Sequence, residues 1–405
     1  MTVFRRYGEV LRPAGARTAV VAGLVGRMSL GMTPLALLLL MKQATGSYAS
    51  AGLVAASYAL AVAIGAPLRA RTADRKGPAT VLVSSAVVHP LAFVAVIALT
   101  HWHAPVALDA AAALLVGVTV PPLSAVLRAL WGRLLEPGLL PVAYSLEAVF
   151  VEICFVTGPL LVALLTGLLS PAAAVAASAV VASTGAVVMA GVPVVRRTTP
   201  DPDRPTHLAG PLVSPLVRAC LLCVLLVGAS FGAVEVGVLA FVEEHGQPRS
   251  VAGVVLAVWS GGSALGGLLY GGLRLRSDAT RQLPVLVGLV GLAAVLPLLA
   301  PSVLVLGLLL VLAGSTIAPW SAVNSVLLSR GAPAGTVTEA FAWNSSMIFA
   351  GVAVGNALAG QLADAHGSAG AFVVAACGGG CVVLASLLGL RVLRSGAIAP
   401  AHVAF

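Results

Sequence analysis

The chain has 405 residues, 59% of them hydrophobic and only 9% charged, with a mean hydropathy of +1.05. A soluble globule is about a quarter charged and at most about half apolar, so the composition excludes one and indicates a polytopic membrane protein solvated by lipid. The net charge of +9 suggests first an anionic partner such as nucleic acid, but the basic residues sit in short clusters between apolar runs, the pattern of cytoplasmic loops, and no nucleic-acid partner is expected.

The N-terminal stretch MTVFRRYGEVLRPAGAR runs directly into a long apolar segment without a small-residue cleavage site. That segment reads as the first membrane helix and not as a removable signal. Twelve apolar segments of spanning length follow in order, at about 18–40, 48–68, 79–99, 106–127, 141–167, 171–195, 215–241, 250–270, 282–300, 302–328, 335–359 and 370–390. The N-terminus carries Arg5, Arg6, Arg12 and Arg17, and the loop after span 2 carries Arg69, Arg71, Arg75 and Lys76. Later even-numbered loops and the tail add Arg128, Arg133, Arg196, Arg197, Arg204, Arg274, Arg276, Arg281, Arg330, Arg391 and Arg394. The odd-numbered loops offer only Lys42 and Arg249, so both termini are expected in the cytoplasm of a multi-pass cell-membrane protein. Cys154, Cys220, Cys223, Cys377 and Cys381 all lie in apolar runs and read as small core residues, with a redox-active Cys220-x-x-Cys223 pair as the minor alternative.

The polar stretch RRTTPDPDRPTHLAG at 196–210 reads as a flexible linker between two six-span halves, 1–195 and 215–405, with the linker region taken as 196–214. Internal similarity supports the division. GVTVPPLSAV at 117–126 matches GSTIAPWSAV at 314–323, and Ala51-Gly52 with Gly65 matches Ala252-Gly253 with Gly266. Glu147-Ala148 followed by Glu152 corresponds to Glu339-Ala340 followed by Asn344. Parallel six-helix repeats suit a transporter that opens alternately to the two sides.

These residues carry a resemblance to the major facilitator superfamily over essentially the whole chain. The loop from Gly65 to Asp74-Arg75-x-Gly77 resembles the family's signature loop, with Lys76 inserted and Pro78-Ala79 where further basic residues usually follow. Gly158-Pro159 resembles the core of the antiporter motif on the fifth helix of bacterial twelve-span drug–proton antiporters, without its closing glycine pair, and the Arg-rich signature of their fourth helix is missing. The resemblance implies an all-α fold of two six-helix bundles related by a pseudo-two-fold axis, acting as a monomer with a small-molecule substrate, protons and membrane lipid as partners. No cofactor, metal or enzymatic activity is expected.

Charge at mid-membrane is costly and usually lines a cavity, pairs or titrates. Arg27 lies about ten residues into span 1 and Glu152 about eleven into span 5, so the two are expected to face each other. Together they either carry the coupled proton or form a static ion pair. Glu147, five residues away and about 140° round the helix, is expected with Glu339 at the cytoplasmic gate, or simply at a helix end. Asp74 and Arg75 are expected as charged latches of the same gate, while Gly158 and Pro159 give either a sealing bend or an ordinary packing kink. Glu235 in span 7 is a second proton or substrate group. The cavity-lining spans implied by the resemblance supply Met28, Met32, Thr119, Ser124, Phe231, Thr316, Trp320 and Asn324, a soft and largely apolar wall. Proton-coupled efflux of lipophilic or cationic small molecules is therefore expected. Uptake or exchange of a small metabolite is the alternative, and a non-transporting receptor or scaffold a third. Cysteine labelling in intact cells should reach positions 42, 101 and 249 from outside and positions 204 and 276 only from the cytoplasm; external labelling of the linker would overturn the topology.

Overall fold

The computed structural model describes residues 8–136, 139–198, 210–272, 279–333 and 336–394. The central linker and the last residues, and the side chains of Asp74, Arg75 and Glu152, fall outside the described part.

Every described regular element is helical. The first half contains α1 (Ala16–Thr45), α2 (Tyr48–Lys76), α3 (Pro78–His101), α4 (Val106–Thr119), α5 (Leu123–Leu134), α6 (Leu140–Leu168) and α7 (Pro171–Gly191). The second contains α8 (Pro215–Glu244), α9 (Ser250–Gly272), α10 (Ala279–Ala293), α11 (Val303–Gly314), α12 (Ile317–Gly331) and α13 (Val337–Arg394). Short polar signals set the boundaries. Ser47, Ser170, Ser214 and Ser302 each accept a backbone N–H three residues on, and Pro171 and Pro215 occupy first helical positions where no N–H is needed. Gly46 ends α1 in the left-handed region, and Gly367, at φ 65° and ψ −157°, breaks α13 into two arms.

The helix ends define two faces. The linker end carries Ala16, the α2–α3 turn and the start of α8; the far end carries the α1–α2, α8–α9 and Gly367 turns. Ten helical segments among the described residues are long and apolar enough to cross a membrane, against twelve expected. The difference is local. Glu339–Leu387 forms one 49-residue apolar stretch although Gly367 turns the chain within it, and α6 contributes a shorter apolar run, Ile153–Leu168. Outward-facing side chains such as Leu60, Ile64, Leu91, Val94, Leu268 and Leu304 are exposed, as lipid contact requires.

The repeated sequence has a physical purpose. GVTVPPLSAV and GSTIAPWSAV are the points at which α4 gives way to α5 and α11 to α12. At the first, Gly117 abuts the backbone of Tyr58 and Val62 in α2, and Gly65 abuts Val118. At the second, Gly314 abuts Trp259 and Ser263 in α9, and Gly266 abuts Ser315. The same helix crossing is built twice, each time with glycine where a Cβ would strike backbone.

The core is not uniform along the molecule. At the far end one cluster joins both halves, from Leu35–Met41 of α1 and Phe93 of α3 to Leu239 of α8, Leu306 of α11 and Phe372 of α13. At the linker end the halves have separate cores, one around Trp131 and Met189, the other around Val224 and Trp320. Two seams bind the halves. Gly52 and Gly360 bring α2 against α13, and Gly253 brings α9 against the Pro159 carbonyl of α6. The α2–α13 seam continues through Ala56, Ala59 and Ala353 to a hydrogen bond from Ser346 Oγ to the Ala63 carbonyl at 2.9 Å.

Gly266→Ala should lower the thermal midpoint of the purified protein, since its Cβ would meet the Ser315 carbonyl and overpacking costs about 1–3 kcal/mol. Gly261→Ala in the same helix, with nothing within 4 Å, should leave the midpoint unchanged or raise it. Equal midpoints for the two variants would contradict the α9–α11 crossing.

Candidate functional site

Arg27 is almost fully buried in α1 and lies against Glu147; the side chain of Glu152, the partner that matched depth suggested, lies outside the described residues. Side chains on a helix lean toward its N-terminus. Arg27 folds back so that Nε donates to the Gly23 carbonyl at 2.9 Å, one turn toward the linker end, and Nη1 lies 3.8 Å from Glu147 Oε2. Glu147 also accepts from Trp131 Nε1 at 2.8 Å and from Arg128 Nε at 3.3 Å. One carboxylate thus ties α1, α5 and α6, all within the first half. Glu147 was expected at the cytoplasmic gate or simply at a helix end, and its described contacts include the span-end Arg128. Trp131 was not anticipated; its place one turn after Arg128 on α5 was the available signal.

The motif glycine and proline of α6 are used for packing. Gly158 lies against Gly31 of α1, where a Cβ would come within 2.7 Å of backbone, and Pro159 turns its carbonyl to Gly253 of α9. Of the expected cavity residues, Met32 is buried in the far-end core and Met28 and Phe231 sit partly buried at its margin. Phe231 meets Trp259 edge-on, with centroids 5.2 Å apart. Trp320 is buried in the linker-end core of the second half rather than on an open wall. Asn324 is buried and donates to Asn344 at 3.4 Å. Thr119 spends its hydroxyl on the Leu115 and Val116 carbonyls and faces His89 Nδ1 of α3 at 3.0 Å. Thr316, between α11 and α12, donates to the Ala313 carbonyl near the end of α11, and Ser124 is half-buried near the start of α5. Glu339 lies half-buried at the start of α13, and Glu235 has a buried Oε2 with no hydrogen-bond partner among the described residues.

At the linker end of α2, Arg69 does more than meet lipid. It donates from Nε to the Val118 carbonyl at the end of α4 and from Nη1 to Ser85 Oγ of α3 at 2.9 Å. A cation at a helix C-terminus satisfies the last carbonyls there.

The far end carries a polar latch between the halves. Asp364 of α13 accepts from Ser47 Oγ at 2.5 Å, Tyr48 N at 2.6 Å and Ala49 N at 2.9 Å, so the second half caps the start of α2. Glu243 of α8 accepts from Tyr48 Oη and Arg249 Nε and lies 3.9 Å from Lys42 Nζ, which sits over the Tyr48 ring. The two basic residues of the far-end loops therefore share one carboxylate. Within the second half, Glu244 accepts from Ser368 N at 2.6 Å and from its hydroxyl.

The family described as Major Facilitator Superfamily matches residues 19–246, more than half of the chain. No curated protein matches by sequence. The fold is similar to that of the nucleoside transporter NupG, with a TM-score of 0.68 and 13% identity over 93% of this chain and 98% of that one. It is also similar to the human organic anion transporter MFSD10, with a TM-score of 0.63 and 18% identity over 93% and 100%. A peptide transporter of the POT family gives a TM-score of 0.69 and 13% identity over 96% and 98%.

Asp364→Ala removes the acceptor of three hydrogen bonds, two of them from helix-terminal amides. Spin labels on Gln43 and Gln247 should then show a longer-distance population enlarged about tenfold or more, given roughly 1.5–3 kcal/mol for each charge-assisted bond. An unchanged distance distribution would mean that Asp364 holds nothing closed.

Proposed function

Because the chain belongs to the major facilitator superfamily, we propose that it is a proton-coupled secondary transporter that takes up or exchanges a small metabolite by alternating access. The moving parts are two halves, 1–195 and 215–405, each of six spans once α6 and the two arms of α13 are counted. One joined core at the far end and two separate cores at the linker end carry this reading. They are what a carrier closed on one side and parted on the other requires. The Asp364 and Glu243 contacts are the polar groups that must separate when the closed side opens. By the distribution of Lys and Arg, the linker end is the cytoplasmic one.

Uptake or exchange is preferred to the drug efflux expected from the sequence for two reasons. The feature closest to a drug–proton antiporter, Gly158-Pro159, is accounted for by contacts with Gly31 and Gly253. The structures of similar fold are named for nucleosides, peptides and organic anions.

Glu147 with Arg27, Arg128 and Trp131 serves as a buried lock that moves the first half as one body. Glu152, about one and a half turns deeper than Glu147, carries the coupled proton. Its counterpart in the second half is Asn344, which cannot titrate and pairs with Asn324. One proton site per cycle needs no duplicate.

Proteoliposomes with an imposed pH gradient, offered labelled nucleosides, dipeptides, amines and organic acids, test this. At least one solute should accumulate and be released by a protonophore. Glu152→Gln should abolish accumulation but keep counterflow exchange. Glu147→Gln should instead lower the thermal midpoint, because breaking a buried pair costs about 3–5 kcal/mol. Gradient-driven extrusion of lipophilic dyes with no metabolite accumulation would restore the efflux reading.

A further inference from the structure

Glu235 sits on α8 twenty residues after Pro215, well inside a helix that spans from Pro215 to Glu244. Its Oε2 is shut away from solvent and receives no hydrogen bond among the described residues, yet the side chain keeps part of its surface accessible. The fully buried Tyr58 of α2, in the other half, lies near enough to feel its charge. Thr33 of the neighbouring α1 donates its own hydroxyl to the Ser29 carbonyl at 2.7 Å. No basic side chain among the described residues offsets the carboxylate.

One turn toward the linker end on the same face stands Phe231, edge-on to Trp259 of α9. Phe231 touches both the joined far-end core and the separate linker-end core of the second half, so it lies where the parted region meets the closed one. An acceptor oxygen without a donor, beside an aromatic pair at the floor of that region, is half of a recognition site.

We propose that Glu235 binds the protonated nitrogen of the transported solute, and that Phe231 and Trp259 take the apolar body next to it. The solute class is a small primary or secondary amine. The class follows from the missing partner: an N–H of an ammonium group supplies the charge-assisted hydrogen bond that Oε2 lacks, which a quaternary ammonium cannot donate and a neutral alcohol supplies only weakly. An aromatic ring beside the cation adds attraction. The proposal deepens the transporter reading and rests on it for the word solute, but the site itself is testable by binding alone.

Calorimetric titration of the full chain in lipid nanodiscs with phenethylamine, its trimethylammonium analogue and 2-phenylethanol provides that test. Phenethylamine should bind about 10- to 100-fold more tightly than 2-phenylethanol, with the trimethylammonium compound between them. Glu235→Gln should erase the preference, and Glu235→Asp should retain part of it. If Glu235→Gln does not fold, the ranking of the three compounds on the unaltered protein decides. Equal binding of amine and alcohol, a preference that survives Glu235→Gln, or no binding of phenethylamine would each overturn the proposal. Amine binding without gradient-driven transport would remove the transporter reading and leave the site. Transport of a metabolite with no amine preference would do the reverse.

Discussion

The structure depends on backbone-to-backbone contact at glycine. Lipid gives no hydrophobic reward for bringing two apolar helices together, so close van der Waals packing must supply the attraction. Gly52, Gly253 and Gly360 let helices of opposite halves touch at the far end, and Gly31, Gly117, Gly158 and Gly314 do the same within each half. A contact made of small residues is also one that can part. Few side chains interlock across it, so separating the halves exposes a shallow surface rather than a torn core. The glycines at these crossings are the material of the contact between helices.

Polar groups are placed according to whether they must stay or separate. The Arg27–Glu147 cluster holds three helices of one half with a charge pair that is nearly dry, and breaking it would leave a buried charge uncompensated. The Asp364 and Glu243 contacts join opposite halves at the helix ends, where water can replace lost hydrogen bonds. Bonds of the second kind suit a gate because their rupture is tolerable there. Glu235 belongs to neither group, as a carboxylate facing the interface with one oxygen unmatched.

Secondary transport of a small molecule follows from the family, while the resemblance to solved carriers, at 13% to 18% identity, shows the fold alone. Short motifs were a poor guide to the subclass. Gly158-Pro159 has the composition of an antiporter signature, but helix packing explains each of its residues, and the same would hold in any carrier whose fifth span is squeezed between two others.

Composition and hydropathy alone determined that the chain is a helical membrane protein, and the repeat of GVTVPPLSAV as GSTIAPWSAV exposed the recurring helix crossing, because both depend on residues near in sequence. Charge depth was legible to within a turn, and it placed Arg27 at the level of the carboxylates of α6. Only the tertiary structure brought out the Glu147 contact, since a long side chain leans toward its helix N-terminus and counting residues ignores that reach. Trp320 was placed on a cavity wall by span number, and its neighbours in the linker-end core of the second half bury it. The latch was invisible in sequence for a similar reason. The amides that Asp364 caps, those of Tyr48 and Ala49, lie in the opposite half of the chain, far from it in sequence.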